Sequence, residues 1–158
     1  KEYETADIIK KTCEMFNEAS ANAVANGMTF GIHNHDWEFR KIDGRYAFDI
    51  AFENLSRDIF FELDVYWVAT AGADPVKIVT QVGARAPLLH FKDGPAVREM
   101  PMTALGDGVV KLQEIAAAGA NTAEWLIVEI DKCAGDMMEA VAKSYKYLAS
   151  KGLATGRK

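Results

Sequence analysis

Apolar and polar residues alternate with a period of two in four segments of the chain, and this pattern predicts β-strands. The segments are residues 28–35, 60–67, 88–93 and 125–131. In the second segment Phe61, Leu63 and Val65 share one face, whereas Glu62 and Asp64 lie on the other. The other segments repeat this design. Each predicted strand therefore has an apolar face and a face with ionisable groups near its carboxyl end.

Helical periodicity predicts the elements between these strands. The predicted helices are residues 3–26, 50–55, 76–82, 109–118 and 136–151. Gly27, Gly83 and Gly119 follow three of them, and glycine commonly ends helices. The turn residues Asp43 and Gly44 predict a small hairpin between the first two strands. Strands that alternate with helices indicate parallel β-α-β units in an α/β fold.

The ionisable residues on the inner faces of these strands distinguish two α/β architectures. In a doubly wound sheet helices cover both faces, so unpaired charges there would be costly to bury. In a (β/α)8 TIM barrel, residues at the carboxyl ends of the strands converge where the active sites of that fold lie. The positions of Asp64, His90 and Glu129 therefore predict a barrel.

Composition limits the class of protein. The chain has 158 residues, of which 49% are hydrophobic and 26% charged, so residues 1–158 are expected to form one domain or part of one. A net charge of -5 argues against nucleic-acid binding. No apolar run is long enough to predict a membrane span. Cys13 and Cys133 lack metal-site spacing, so we expect reduced thiols and a cytoplasmic protein.

The strand-end residues are the types that bind a divalent metal. Asp64, His90 and Glu129 form a mixed carboxylate and imidazole set suited to Mn, Mg, Co or Zn. The further candidate donors are Glu38, Glu62, His33 and His35. A metal here would polarise a sugar oxygen and stabilise an enediolate, while a carboxylate or histidine moves the proton.

Each of these residues also has a structural interpretation. The strand-end groups could form a buried ion-pair network, and His33 and His35 could be core histidines. Lys92 could pair with Asp93 or Glu62, or it could hold a substrate hydroxyl or phosphate. The remaining alternatives are Glu38 on a hairpin surface, Glu62 as a partner of Lys92 or a histidine, Asp131 at a helix N-terminus, and Trp37, Trp67 and Trp125 in the core.

Six motifs together resemble the sugar phosphate isomerase/epimerase family of xylose isomerase-like TIM barrels, related to inosose dehydratases and ketose 3-epimerases. They are HNHDWEF at 33–39, ELDVYWV at 62–68, GADP at 72–75, LLHFKDG at 88–94, LGDGVV at 105–110 and IVEID at 127–131. The resemblance covers nearly all of this chain but only the last four strands of such a barrel, which needs about 250 residues. It implies a partial domain, the C-terminal half, without the N-terminal half.

The resemblance also implies roles for individual residues. The metal ligands at the ends of the sixth, seventh and eighth strands correspond to Asp64, His90 and Glu129. The fourth ligand of the family is a glutamate at the end of the fifth strand, but here that strand ends in His33 and His35, and Glu38 is the nearby carboxylate. Trp67 stands where ketose epimerases have a substrate-binding histidine, and an aromatic ring there suits stacking on a sugar.

The expected function is a metal-dependent isomerase or epimerase of a sugar, keto sugar or polyol. We expect Glu129 with His33 or His35 to transfer protons. Trp67 and Lys92 are expected to contact the substrate, and Glu38 is expected to complete the set of metal ligands. A dehydratase or lyase is the alternative within this chemistry. An abasic-site endonuclease shares the barrel superfamily, but three histidines and an acidic pI disfavour it. The other alternative is a non-catalytic half-barrel that pairs with a partner, such as a homo-oligomer.

Overall fold

The computed structural model describes residues 2–156, which form a parallel sheet with helices on its apolar side. The strands are β1 (Phe30–His33), β2 (Lys41–Ile42), β3 (Arg45–Tyr46), β4 (Ile59–Asp64), β5 (Leu88–Phe91) and β6 (Trp125–Val128). The α-helices are α1 (Ala6–Ala25), α2 (Ala47–Asn54), α3 (Val65–Thr70), α4 (Pro75–Val82), α5 (Leu112–Gly119) and α6 (Met137–Ser150). Short 3-10 helices occupy Trp37–Phe39 and Gly83–Arg85.

The main sheet has four parallel strands in the order β1-β4-β5-β6. The pairing places His33 opposite Glu62 and Asp64 opposite His90. The strands β2 and β3 form the predicted antiparallel hairpin. Because all four strands run in the same direction, their carboxyl ends lie along one edge of the sheet. The α/β prediction of parallel β-α-β units is confirmed.

The apolar faces of the strands form the core, as the alternation predicts. Ile59, Phe61 and Leu63 of β4 are buried, and so are Leu89 and Phe91 of β5. They belong to a single hydrophobic cluster that includes buried residues of all six α-helices. Leu148 is the member from α6. The hydrophobic side of the sheet is thus covered, and the ionisable side faces away from the helices.

Side-chain caps explain where several helices begin. The Asp74 side chain accepts hydrogen bonds from the backbone N–H groups of Val76 and Lys77, and Pro75 occupies the first turn of α4. Thr5 caps α1 and Asp136 caps α6 in the same way. The sequence prediction of α4 and α6 is correct within one residue at each end.

The strand predictions are too long at their carboxyl ends. The segment predicted as 60–67 leaves the sheet at Asp64, because the Asp64 side chain caps α3 and turns the next residues into a helix. The other three strands end two to three residues before the predicted limits, at His33, Phe91 and Val128. Beyond these points the chain enters loops that carry the polar groups of the site.

Two of the three tryptophans lie outside the core, so the default prediction is wrong for them. Trp37 is 46% exposed and Trp125 is 51% exposed, whereas Trp67 is partly buried. Both cysteines are free thiols, with Cys13 buried and Cys133 partly buried, as expected. None of the helices within residues 2–156 has the length and apolar character needed to span a membrane.

Candidate metal and active site

Four side chains from the ends of the four parallel strands meet on the polar side of the sheet. They are His33 of β1, Asp64 of β4, His90 of β5 and Glu129, which directly follows β6. These four side chains, as candidate metal ligands, form the donor group. Each offers one ligand atom, and these atoms lie within 4.8 Å of one another. The four strands therefore bring together two imidazoles and two carboxylates from positions almost one hundred residues apart in sequence.

The atoms that face one another in this group have no hydrogen-bond partner. Asp64 Oδ2 lies 3.4 Å from His33 Nε2 and 3.6 Å from His90 Nδ1, and Glu129 Oε2 lies 2.7 Å from His90 Nδ1. All four atoms are buried, yet none has a partner with hydrogen-bond geometry among the described residues. Buried polar atoms are normally satisfied, and mixed nitrogen and oxygen donors suit a divalent cation. The group therefore fits a metal ion.

Asp64 is held rigidly because its two carboxylate oxygens have separate roles. Oδ1 accepts hydrogen bonds from the backbone N–H groups of Tyr66 and Trp67, each at 3.0 Å. This leaves Oδ2 facing the donor group. The Asn34 side chain also bonds to the backbone of Asp64, accepting from its N–H at 2.9 Å and donating to its carbonyl at 3.2 Å.

The sequence patterns did not predict the role of Asn34. Its side chain is almost completely buried, at 4% exposure. An asparagine between two histidines at the end of a predicted strand was the available signal, because a buried amide there needs backbone partners. Its partner lies 30 residues away, however, and only the pairing of β1 with β4 brings the two together.

Lys92 is a buried cation beside the donor group. Its side chain is 1% exposed, and Nζ lies 3.0 Å from Asp64 Oδ2, 3.0 Å from Glu129 Oε2 and 2.8 Å from Asp131 Oδ2. These three partners differ from Asp93 and Glu62, the structural alternative that the sequence offered for Lys92. The alternative of Asp131 at a helix N-terminus is not found either, since Asp131 pairs with Lys92 and Asp136 caps α6.

The charges of the site shift the pKa values of its members. Burial raises the pKa of Asp64, but the contacts with His33 and His90 and the Lys92 ammonium outweigh it, and the pKa lies well below its usual range. For His90 burial lowers the pKa, but Asp64, Glu129 and Glu62 together raise it above the ordinary value. Asp64 is consequently ionised throughout the ordinary pH range.

Glu62 orients His90 from the other side of the imidazole. Glu62 Oε1 lies 3.0 Å from His90 Nε2, whereas His90 Nδ1 faces Asp64 and Glu129. This confirms the prediction that Glu62 is a partner for Lys92 or a histidine. A carboxylate on the second nitrogen of a metal-binding histidine fixes the orientation of the ring, so the arrangement leaves Nδ1 available as a ligand.

The structure does not bring Glu38 into the donor group. Glu38 is 6% exposed, and its Oε2 accepts a hydrogen bond from the backbone N–H of His35 at 2.9 Å. Burial is the main reason that the pKa of Glu38 is raised. The carboxylate therefore supports the loop that carries His35, and His33 is the side chain from β1 that reaches the donor group.

Aromatic rings line the mouth of the site beside His33. The His35 ring stacks on Trp37 with centroids 4.1 Å apart, and it lies 6.2 Å from the Trp67 ring. Lys92 Nζ lies 5.4 Å from the centroid of Trp67. Arg98 forms a bidentate ion pair with Asp36, and its guanidinium carbon lies 5.4 Å from the centroid of Trp37. Trp67, His35 and Lys92, all predicted site residues, thus lie next to the donor group.

Comparisons with solved structures find this fold as part of isomerases, epimerases and a dehydratase. A sugar phosphate isomerase/epimerase from Parabacteroides distasonis ATCC 8503 has 29% sequence identity and a TM-score of 0.83, and the match covers 96% of this chain and 55% of the other. An L-ribulose 3-epimerase has 18% identity and a TM-score of 0.70 over 94% of this chain and 55% of the other. A probable 3-DHS dehydratase from Bacillus anthracis has 18% identity and a TM-score of 0.61, and the match covers 92% of this chain and 55% of the other.

The extent of these matches defines what part of the fold is present. The chain spans about half the length of the structures it matches. No protein-family profile and no curated protein matches the sequence. The likeness at 18% identity concerns the fold alone. The chain is therefore similar in sequence and structure to sugar phosphate isomerase/epimerases, and its fold is half of a xylose isomerase-like (β/α)8 barrel.

Proposed function

We propose that the chain carries the metal site of a divalent-metal-dependent isomerase or epimerase acting on a sugar, keto sugar or polyol. The observation that supports this most strongly is the group of four buried ligand atoms at the ends of four neighbouring strands, which have no hydrogen-bond partner within residues 2–156. In a barrel of this type, active sites lie at the carboxyl ends of the strands. The free thiols fit a reducing compartment such as the cytoplasm.

Asp64, His90 and Glu129 are proposed as metal ligands together with His33, which replaces Glu38 as the fourth candidate. Two carboxylates and two imidazoles favour Zn or Co over Mg, since imidazole is a poor ligand for hard cations. The metal would supply a positive charge that polarises a carbonyl or hydroxyl oxygen of the substrate. The choice of His33 follows from its place in the donor group, where Glu38 is absent.

Glu129 and His35 are proposed to move the proton. The Glu129 carboxylate is 39% exposed at the mouth of the site, so it can contact both the donor group and a substrate. Burial and the neighbouring His33 lower the pKa of His35, so its imidazole is neutral at pH 7 and can accept a proton. If His33 is a ligand, His35 is the histidine left for this role.

Trp67 and Lys92 are proposed to contact the substrate. The Trp67 ring lies beside His35 and is partly buried, so it offers one face to a sugar ring. The Lys92 ammonium lies between the donor carboxylates and Trp67. It can donate a hydrogen bond to a substrate oxygen that carries developing negative charge.

Metal analysis of the purified protein tests this proposal. We expect near-stoichiometric divalent metal by mass spectrometry, with Zn or Co in preference to Mn or Mg, together with conversion of a keto sugar in substrate screening. Asp64→Asn should weaken metal binding by more than about 100-fold, because it removes a charged ligand. It should still fold, since the side-chain oxygen can still cap α3.

The matched control is Asp74→Asn, which alters the cap of α4 outside the site and should leave metal binding unchanged. His90→Gln should lose the metal as Asp64→Asn does. A folded wild-type protein that binds none of these ions, or an Asp64→Asn variant with wild-type affinity, would refute the metal site.

A further inference from the structure

The Lys92 ammonium shares its acceptors with the candidate metal. Two of its three carboxylate contacts, to Asp64 Oδ2 and Glu129 Oε2, involve the oxygens that belong to the donor group. Both oxygens lack a partner with hydrogen-bond geometry among the described residues. The hydrogen bond of Lys92 Nζ goes instead to Asp131 Oδ2, at 2.8 Å. The ammonium is therefore paired by charge with the donor oxygens and bonded to Asp131.

Charge explains why a cation is needed at this place. The Asp64 side chain is fully buried, and an isolated buried carboxylate is strongly unfavourable. An ammonium that is itself 1% exposed compensates this charge. A divalent ion among the same oxygens would compensate it too, and the two cations would then repel each other across a poorly solvated space. Lys92 and the metal thus compete for the same negative charge.

Asp131 offers the ammonium an alternative partner. Its side chain is 42% exposed, so it lies on the solvent side of Lys92, away from the buried Asp64. The face of Trp67 lies 5.4 Å from Nζ and also favours a cation. Because Nζ is already hydrogen-bonded to Asp131 at 2.8 Å, a small rotation of the ammonium about this bond would keep it paired while it withdraws from the donor oxygens.

We propose that Lys92 is a built-in counter-ion of the metal site, which stabilises the metal-free protein and lowers its affinity for the metal. Asp131 is the positioning residue that holds the ammonium aside when the metal binds. This inference rests on the metal site proposed above. It makes the metal exchangeable, because the protein carries its own replacement charge. It also places a second positive charge next to the metal, where a substrate oxygen becomes negative.

Calorimetric titration with Mn²⁺ and with Zn²⁺ tests the inference in a double-mutant cycle. We expect Lys92→Met to bind the metal about tenfold tighter or more, because a nearby positive charge is removed, and to melt at a lower temperature without metal. Asp131→Asn should weaken metal binding about threefold or more, since the ammonium then keeps its place at the donor oxygens. Neither readout depends on turnover.

The cycle separates positioning from a direct effect of charge. If Asp131 acts through Lys92, the Asp131→Asn change should alter affinity less than about twofold in the Lys92→Met background. If Asp131 merely attracts the metal, its effect should persist there, and this result would overturn its role. The matched control is Lys143→Met, which removes an exposed lysine paired with Asp107 and should leave affinity unchanged.

Failure of this inference differs from failure of the metal site. Wild-type protein that binds metal, with Lys92→Met folded and no tighter, overturns only the counter-ion role. Wild-type protein that binds no metal overturns the proposed function as well. Should Lys92→Met fail to fold, Lys92→Gln keeps a hydrogen-bond donor for the carboxylates while it removes the charge, and the same gain in affinity is expected.

Discussion

Asn34 shows how one side chain extends the sheet beyond its backbone pairing. The parallel pairing of β1 with β4 ends at His33 opposite Glu62. The Asn34 amide then takes the place of a backbone group and bonds to both the N–H and the carbonyl of Asp64. The backbone of Asp64 is thereby fixed at the point where its side chain enters the donor group.

Asn34→Ala should destabilise the protein and weaken the site. Two buried backbone groups would lose their partner, so the free energy of unfolding should fall by about 1–3 kcal/mol, and metal affinity should fall with it. Urea unfolding followed by circular dichroism measures the first effect. Asn26→Ala is the control, because that exposed amide bonds only within its own helix turn, to Asn22. Equal stability of the two variants would contradict the role of Asn34.

At the scale of elements, the loop between β5 and α5 is organised by the buried carboxylate of Asp93. Its oxygens accept hydrogen bonds from the backbone N–H groups of Gly94, Gly106, Gly108 and Val110, at 2.8–3.1 Å. This explains why the predicted helix 109–118 begins only at Leu112. It also explains the LGDG motif, since a Cβ on Gly108 would lie 2.1 Å from Asp93 Oδ1.

Gly108→Ala should therefore disrupt this loop. The added methyl group has no space beside Asp93 and the backbone of Gly94, so we expect the free energy of unfolding to fall by about 1–3 kcal/mol or more. Gly135→Ala is the matched control, because an added Cβ there meets no atom within 4 Å. Thermal unfolding of both variants is the measurement. A Gly108→Ala protein as stable as the control would show that the loop can rearrange without cost.

At the scale of the whole molecule, the sheet has two open edges. Within residues 2–156, β1 pairs only with β4 and β6 pairs only with β5. A parallel strand with free N–H and carbonyl groups is a template for pairing with another chain. Trp125, at the start of β6, is 51% exposed and adds apolar surface to that edge.

We expect the 158-residue chain to associate through these edges. Light scattering coupled to gel filtration should give the mass of an assembly of two or more copies of the 17.4 kDa chain. Trp125→Lys should shift the protein toward the monomer, since a charge on an edge strand opposes pairing. Met138→Lys on α6 is the control, because that side chain is 74% exposed and belongs to a helix rather than to an edge strand. A monomeric wild-type protein would count against pairing through the edges.

The sequence by itself determined the type and order of the elements and the placement of ionisable groups at strand ends. The periods of 2.0 and 3.6 residues are local properties of the backbone, so the α/β class, the four parallel strands and the bounds of α4 and α6 could be predicted. Asp64, His90 and Glu129 were also recognisable, because each lies at or next to the end of a strand whose other face is apolar.

Only the tertiary structure decided which groups meet. Strand pairing and loop paths place His33 rather than Glu38 in the donor group. They also bring three carboxylates around Lys92 and set the partners of Asn34 and Asp93. Most of these contacts join residues 13 or more positions apart in sequence. No local pattern encodes such distances, because they are set when the strands align and the core packs beneath them.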